Sequence, residues 1–366
     1  MKSKEIVSTR QGISIIILYV VSMASVFMFS LGAKKDFWLA IIIALFASFF
    51  VVLVLGRLKT IFPYKNYYEI VEEVFGAIIG KGIITLYAWF FFHTGVLILM
   101  NIVQFANTVS LIDTPQLPTA IFIIGLNCWM LKCGVETLGR WSSAFLLPVL
   151  ILILLFVLLL IPDMDINNLK PTLYDGIQPL MKGTFSIFTF PFGELVIFTI
   201  IFTAFRKKNS FYKVLFLGNI IGFVFVFIIS FSVVTVLGIE RASSLYYPTY
   251  TTLQRINIAG VVQGLELVLT IAFILAGFLK VCVYLLSSCL GIAKIFNYDD
   301  YRFLAVPVGL LALCFSVFLF PGTISFHDWS FALWPAYAIS FQVLIPFSLY
   351  AVVEIKRGIL KKKQAA

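Results

Sequence analysis

Ten apolar runs, each about 20 residues long, follow one another along the chain and are separated by polar segments. A helix needs about 20 predominantly apolar residues to cross the hydrocarbon layer of a bilayer. The pattern therefore predicts an all-α integral membrane protein with ten transmembrane helices. Their expected ranges are 13–31, 37–55, 83–109, 117–135, 141–161, 183–205, 212–238, 260–293, 303–320 and 331–354.

The composition supports this prediction. Hydrophobic residues make up 61% of the 366 residues, charged residues make up only 12%, and there are 39 Phe. An ordinary soluble domain is about 25% charged. Because so few charges cannot cover a water-exposed surface, most of the outer surface is expected to face lipid. We expect one transmembrane domain over 1–366.

The distribution of Lys and Arg predicts the orientation. Ten spans place both termini on one side of the membrane. If that side is cytoplasmic, twenty Lys and Arg residues are cytoplasmic, six lie outside and Lys280 lies within a span. Positive residues accumulate in cytoplasmic loops, so both termini are predicted to be cytoplasmic. The net charge of +10 is then spread between spans, whereas nucleic-acid binding needs a clustered basic face.

Two loops carry structure of their own. Apolar residues at helical spacing in the cytoplasmic segment 64–81 alternate with glutamates, which predicts an amphipathic helix along the membrane. The external loop 239–260 contains Tyr246, Tyr247, Pro248 and Tyr250. It is expected to form an interfacial hairpin or short helices, and an ordinary aromatic loop at the membrane surface is the equal alternative.

Catalytic and metal-binding motifs are missing from the sequence. It has no HExxH, GxSxG or phosphate-binding glycine loop, and its two histidines, His93 and His327, are far apart. The five cysteines have no matching pair of histidines. We therefore expect neither an enzyme nor a protein that holds a metal or cofactor.

Span six combines a helix breaker with a carboxylate. Pro191 removes one backbone donor, and Gly193 permits a non-helical turn directly before Glu194. Glu194 lies about 16 Å from either end of the span, close to the membrane midplane. Carboxylates at this depth are costly and usually functional. A broken helix at a binding site is predicted, and a proline kink with a structural hydrogen bond is the alternative.

Span eight carries one polar stripe at helical spacing, formed by Glu266, Thr270, Gly277, Lys280, Tyr284 and Ser287. Lys280 is about 21 Å from the cytoplasmic Lys294, too far for its ammonium to reach that interface. It needs a partner, and Glu194 is the candidate at matching depth. A stabilising contact without a functional role is the alternative.

Spans one and three supply further candidate positions. Ser22, Ala24 and Ser25 in span one are small enough to permit close backbone approach or local unwinding. Thr94 and Asn101 in span three belong to a polar seam with seven-residue spacing. Packing between helices is the alternative explanation for both features.

Ten spans with cytoplasmic ends and a broken sixth helix resemble the LeuT-like fold of the amino acid-polyamine-organocation transporter superfamily. In that 5+5 inverted repeat, broken helices 1 and 6 surround a site at the membrane midplane. The corresponding repeats would be about 12–161 and 183–354. Side-chain identity between the two halves is slight.

Four stretches resemble a narrower family, the permease-like B subunit of bacterial spore germinant receptors, the GerAB-type family. They are Phe-Pro-Phe-Gly-Glu at 190–194, Gly-Leu-Glu at 264–266, Gly-Phe-Leu-Lys at 277–280, and Asp-Tyr-Arg at 300–302 followed by an apolar run through Pro307. The order of the motifs and the length agree over nearly the whole chain. Span one lacks the glycine-rich break of transporter relatives, so the sequence does not decide whether this helix is unwound.

This resemblance implies a nutrient-sensing subunit in the spore inner membrane or the cell membrane of an endospore-forming bacterium. The subunit would bind a small nutrient such as an amino acid, work with A and C subunits, and trigger ion release. A proton-coupled or facilitative amino acid transporter is the alternative, and it is the one that the residues alone favour. An inert scaffold for partner subunits is the third possibility.

The predicted nutrient site lies between spans one, three, six and eight. Lys280 is expected to replace the sodium ion that related transporters hold between spans one and eight, with Glu194 beside it. The nutrient carboxylate would face the amides of the broken helices. The candidate ligand-binding residues are Ser22, Ala24, Ser25, Thr94, Asn101, Phe190, Phe192, Gly193, Glu194 and Gly277.

Overall fold

The computed structural model describes residues 6–22, 24–202, 204–205, 210–256, 265–320 and 322–365. The predicted motif residue Gly264 and the side chains of Ser25 and Glu266 lie outside the described residues. Nearly every described residue is helical, as the apolar pattern predicts. A two-residue parallel pairing of β1 and β2 is the strand structure in these ranges.

The elements follow this order along the chain. The first half contains β1 Ile6–Val7, α1 Thr9–Val21, α2 Ala24–Phe27, α3 Phe37–Ile61, α4 Tyr67–Val109, α5 Gln116–Cys133 and α6 Val135–Leu160. The second half contains α7 Ile177–Ile187, α8 Val196–Ile201, β2 Ala204–Phe205, α9 Ser210–Leu237, α10 Ile239–Ser244, α11 Pro248–Leu253, α12 Leu265–Ile295, α13 Ala305–Phe318, α14 Thr323–Ala332, α15 Trp334–Ile339 and α16 Ile345–Ala365.

Short helical segments of other pitch connect some of these helices. Segments Phe29–Asp36, Ile161–Asp163, Ile166–Leu169 and Arg302–Leu304 are 3-10 helices, and Phe188–Phe192 and Ser340–Leu344 are π-helical turns. π turns within α-helices are frequent at functional sites. Both π turns of the described chain adjoin the site discussed below.

Eight helical segments in the described ranges are long and apolar enough to cross a bilayer. They are Phe29–Ile61, Tyr67–Val109, Gln116–Cys133, Val135–Asp163, Ile177–Ile201, Ser210–Leu237, Thr270–Ile295 and Trp334–Gly358. Two shorter apolar helices, Thr9–Val21 and Arg302–Phe318, lie where the first and ninth spans are predicted. The chain is an all-helical membrane protein.

Helical geometry is interrupted after α1 and after α7. Helix α1 ends at Val21, and Met28 adopts a left-handed conformation at φ 48°. Helix α7 ends at Ile187, and Phe190 is extended at φ −152° and ψ 102° before α8 begins. Pro191 contributes to the second interruption because it lacks the amide proton of a helical ladder.

A short strand pairing joins the residues before α1 to the residues after α8. Residues Ile6 and Val7 pair in parallel with Ala204 and Phe205. Ser8 then caps α1 in a capping box with Gln11. This arrangement satisfies amides that have no partner within the helix, and it fixes the ends of the two interrupted segments beside each other.

Close helix contacts depend on glycine. A Cβ atom at Gly218 or Gly222 of α9 would lie 2.7 Å from atoms of Ile16 or Val20 on α1. Gly183 of α7 packs just as tightly against Ala33. These positions bring the two interrupted segments close to their neighbours, as small residues do in membrane helices.

The segment 64–81, predicted to lie along the membrane, packs differently from this expectation. The helix begins at Tyr67, with a capping box between Asn66 and Glu69, and Gly76 interrupts it at φ 81°. Of the predicted apolar face, Tyr68, Val71 and Val74 are buried within the protein. Ile78, after the interruption, is 91% exposed. The apolar face therefore packs on the helix bundle, because a hydrophobic stripe does not distinguish protein from lipid. In the loop 239–260, predicted to be external, the described residues form the short helices α10 and α11.

We expect Gly183→Ala to destabilise the protein. The added methyl group would lie 2.5 Å from the Ala33 Cβ and closer still to its backbone nitrogen, so α7 must shift. Overpacking of this kind costs about 1 to 3 kcal/mol. The thermal unfolding midpoint in detergent micelles measures the effect and should fall. Gly125→Ala on α5, where nothing lies within 4 Å, is the matched control; equal midpoints for the two variants would contradict the packing argument.

Candidate functional site

A buried ion pair lies at the interruption between α7 and α8. The Lys280 ammonium of α12 is 2.7 Å from Oε2 of Glu194, and these side chains are 0% and 2% exposed. The hydroxyl of Tyr284, one turn further along α12, donates to Oε1 of Glu194 at 2.7 Å. The pairing expected from the depth of Lys280 is present, and both carboxylate oxygens accept a hydrogen bond.

The π turn delivers Glu194 to this position. Its last amides bond within the turn, with Gly193 N donating to the Phe188 carbonyl at 2.6 Å and Glu194 N donating to the Pro191 carbonyl at 3.3 Å. A Cβ at Gly193 would lie 2.5 Å from Oε1 of Gln342. Glycine at this position therefore leaves room for a side chain from the last span.

Gln342, in the last span, stabilises the interruption between α7 and α8. Its Nε2 donates to the carbonyl of Thr189 at 2.9 Å, and it is fully buried. The carbonyl that the broken helix leaves without a helical partner is thereby satisfied, which membrane depth requires. Gln342 itself belongs to the π turn Ser340–Leu344, so two irregular segments face each other.

Two aromatic rings enclose the Lys280 ammonium. Nζ lies 3.6 Å from the ring centroid of Phe190 and 4.4 Å from that of Tyr19 on α1. Tyr19 also packs on Tyr284, with ring centroids 5.7 Å apart. Cations are attracted to ring faces at such distances, more strongly when desolvated. One ammonium thus links α1, α12 and the interrupted segment.

A small cavity lies on the other side of Phe190. It encloses about 20 Å³, room for about one water molecule. Phe29 packs over Phe190 at 4.7 Å and stacks on Phe331 at 4.9 Å between ring centroids. Phe29 and Phe190 form part of the cavity wall. Its lining comprises Phe29, Thr94, Leu97, Ile98, Asn101, Phe190, Trp329, Ser330 and Trp334.

The remaining predicted residues divide into two groups. Thr94 and Asn101 line the cavity, although the Thr94 hydroxyl already donates to the Phe90 carbonyl. The others lie behind it. Ser22 donates to the carbonyl of Tyr19, Ala24 is buried, Phe192 packs on Phe223 with ring centroids 6.1 Å apart, and Gly277 is buried on α12.

Sequence reasoning missed Tyr19 and Gln342. Each is an isolated polar side chain within an apolar run, which is the signal that could have identified them. Their roles depend on tertiary contacts, since Tyr19 covers an ammonium from α12 and Gln342 bonds a carbonyl 153 positions away in the sequence.

A line of buried hydroxyl groups connects the site to the start of α4. Tyr87 donates to the carbonyl of Phe341, beside Gln342, at 2.7 Å. The hydroxyls of Tyr87 and Tyr67 are 3.1 Å apart. Tyr68 donates to the carbonyl of Ser287, one turn from Tyr284, at 2.9 Å. The short helix at 67–75 therefore contacts α12, which carries Lys280, and is linked through Tyr87 to the π turn that contains Gln342.

The site combines charged groups with irregular backbone and aromatic rings. In the described part of the chain, no group of three or more His, Cys, Asp or Glu lies close enough to hold a metal ion. The site offers one carboxylate, one ammonium, irregular backbone and an aromatic wall. Such groups orient a small polar molecule at membrane depth.

Comparison with known proteins finds three similar spore germination proteins that cover most of the chain. "Spore germination protein KB" of Bacillus subtilis (strain 168) is 24% identical over 358 residues, covering 96% of this chain and 95% of that protein. "Putative spore germination protein YfkT" of the same organism is 23% identical over 331 residues, 89% of each chain. "Spore germination protein A2" is 21% identical, covering 89% of this chain and 88% of that protein.

One solved structure has a similar fold. MhsT, in a crystal structure with L-phenylalanine, aligns with a TM-score of 0.54 at 12% identity, covering 96% of this chain and 99% of that chain. The model of the family described as "Spore germination protein" matches residues 6–323. Its members are permease-like rather than enzymes. The chain belongs to the spore germination protein family, as the motifs of spans six and eight indicate.

Proposed function

We propose that this chain is the nutrient-sensing transmembrane subunit of a spore germinant receptor. It binds a small nutrient, an amino acid, and triggers germination with associated ion release. The observation that carries the proposal is the Glu194–Lys280 pair, buried at a helix interruption and covered by an aromatic cavity. The family and the fold shared with an amino acid-binding protein support it.

The proposed architecture is a ten-span 5+5 inverted repeat. The repeats are about 12–161 and 183–354, and both termini are cytoplasmic. Eight long apolar helices and the two shorter ones supply the spans. The interruptions after Val21 and after Ile187 supply the broken helices one and six. The likeness to MhsT supports this arrangement.

In the proposed pose, the nutrient occupies the cavity beside Phe190. Its carboxylate faces the amides of the interrupted helices, whose N-terminal ends attract negative charge. Its side chain contacts Phe190 and Trp334 on the aromatic wall. Because the cavity is now water-sized, binding requires Phe29 and its neighbours to move. The nutrient thus selects an open state by its differential affinity.

Lys280 replaces a coupling sodium ion in this proposal. Its ammonium carries one positive charge between α1 and α12, held by Glu194 and by the rings of Tyr19 and Phe190. A permanently attached cation cannot be exchanged across the membrane. The nutrient response therefore needs no sodium, and the site suits sensing better than sodium-driven accumulation.

The line through Gln342, Phe341, Tyr87 and Tyr67 carries the response towards the cytoplasm. Opening of the cavity displaces the turn that contains Thr189, and Gln342 transmits this displacement to the π turn of the last span. The helix at 67–75 then shifts relative to α12. In the assembled receptor, the A and C subunits are the partners that respond.

A second candidate is a proton-coupled or facilitative amino acid transporter. The observation that favours it is the fold shared with MhsT over nearly both chains. Concentrative uptake by isolated vesicles distinguishes it from a sensor. An inert scaffold is distinguished by its tolerance of neutral residues at Glu194 and Lys280.

Replacement of Glu194 by glutamine should shift the nutrient dose response by at least about tenfold or abolish it. The carboxylate accepts two hydrogen bonds, one from an ammonium, and such bonds contribute about 1.5 to 3 kcal/mol each. Germination of spores carrying Glu194→Gln measures the effect at matched protein level. Asp163→Asn, at an exposed position, is the control. A lower protein level with normal sensitivity would indicate a structural role only.

For Lys280→Ala, we expect loss of the nutrient response in a correctly assembled receptor. Removing one partner of a buried pair costs about 3 to 5 kcal/mol, so assembly must be checked by co-purification of the receptor. The double variant Glu194→Gln with Lys280→Met leaves no unpaired charge and serves as the folding control. Lys132→Ala, which is exposed, controls for charge. An unchanged response, or a sodium requirement in the unaltered receptor, would refute the role of Lys280.

Tyr87→Phe should separate binding from response. The substitution keeps the ring but removes the bonds to Phe341 and Tyr67. Nutrient affinity of the purified protein should stay within about twofold, whereas the germination response weakens by up to about tenfold, since a neutral buried hydrogen bond contributes about 0.5 to 1.5 kcal/mol. Tyr298→Phe, half exposed, is the control. Equal losses of affinity and response would identify Tyr87 as merely structural.

A further inference from the structure

A larger cleft lies away from the ion pair, between the ends of α4, α5 and α13. It encloses about 290 Å³, compared with about 20 Å³ beside Phe190. These helix ends are at the predicted external side. The lining residues are Met100, Val103, Gln104, Gln116, Leu117, Ala120, Ser316, Val317, Phe320 and Gly322.

Gln104 points to a polar occupant of this cleft. The residue is only 8% exposed, yet its carboxamide is not among the buried groups of the described chain that lack a partner, so its amide is accessible from the cleft. An occupant that displaces water from this amide without replacing its hydrogen bonds loses about 1 to 3 kcal/mol. A hydrocarbon tail could fill the space but could not satisfy Gln104. The occupant therefore carries a hydroxyl or amide group.

The charge of the lining limits the occupant further. Among the described lining residues, not one is ionisable: two carboxamides, one hydroxyl and one aromatic ring stand among aliphatic side chains and glycine. A charged molecule would lose its hydration without a counter-charge, which is strongly unfavourable at membrane depth. This lining contrasts with the ion pair beside Phe190. The two sites therefore take ligands of different chemistry.

The size and the opening of the cleft fit a small molecule. Its volume corresponds to about ten water molecules at roughly 30 Å³ each, close to the lower end of ligand pockets. Gln116 and Gly322 at its edge are exposed, whereas Gln104 and Ala120 at its inner wall are buried. Entry is thus from the external edge towards Gln104.

We propose that this cleft is an accessory binding site for an uncharged small molecule with hydroxyl or amide groups. Gln104 bonds the ligand at the inner wall and Gln116 bonds it at the entrance. Phe320 and Leu117 cover its apolar part. Gln104 also lines a second small cavity that reaches Phe29 and Tyr247, so the accessory ligand lies next to the layer of rings that closes the nutrient cavity.

Photolabelling of the full chain in lipid nanodiscs tests this site. The probe is an N-alkyl acetamide that carries a diazirine, and labelled positions are mapped by mass spectrometry. We expect saturable labelling of residues 100–104 and 116–120, competed by excess unlabelled N-alkyl acetamide. The same diazirine on a carboxylate should label these residues at least about tenfold less. Labelling should persist in the Glu194→Gln variant. This result would show that the accessory site does not depend on the proposed nutrient site.

Two variants identify the cleft as the labelled site. Ala120→Trp fills it and should lower the labelling at least about tenfold, whereas Gly125→Trp, exposed on the same helix, should leave it unchanged. Gln104→Leu keeps the volume, removes the hydrogen bond and should also reduce saturable labelling if Ala120→Trp does not fold. Labelling spread evenly over lipid-facing helices, or equal labelling by the carboxylate, would overturn the proposal.

Discussion

The structure depends on a carboxylate and an ammonium that are held together out of contact with water. An unpaired charge at this depth is unfavourable by several kcal/mol, so neither Glu194 nor Lys280 is stable there alone. Their pairing fixes α12 against the interruption between α7 and α8, and the rings of Tyr19 and Phe190 fix α1 to the same ammonium. The irregular backbone is tolerated because Gln342 bonds its free carbonyl.

The helix interruption, the small cavity and the π turn of the last span lie next to one another. The cavity beside Phe190 is water-sized and lined by aromatic rings, so a larger ligand requires these rings to move. The same segment bonds the π turn of the last span, which in turn bonds Tyr87. In the proposed function, opening of the cavity shifts the helix at 67–75 through these contacts.

Much of this fold follows from sequence patterns. Apolar runs predict the membrane helices, because hydrocarbon thickness fixes their length. The pairing of Glu194 with Lys280 follows from depth, because Lys280 is too far from the predicted cytoplasmic interface to reach it and Glu194 lies at a matching depth. The contacts made by Gln342 and Tyr19 could not be predicted. A single polar residue in an apolar run forms no periodic pattern, so the sequence does not indicate which residue it contacts. The segment at 64–81 has an amphipathic pattern, yet the pattern alone does not decide between burial in protein and contact with lipid.

The most direct measurement is nutrient binding and uptake by the same purified chain in sealed vesicles, across a panel of L-amino acids, with and without sodium. The account predicts saturable binding of at least one amino acid, equal in both media, with no accumulation inside the vesicles and with loss of binding in Glu194→Gln. Concentrative uptake, or binding that survives neutralisation of both Glu194 and Lys280, would contradict it.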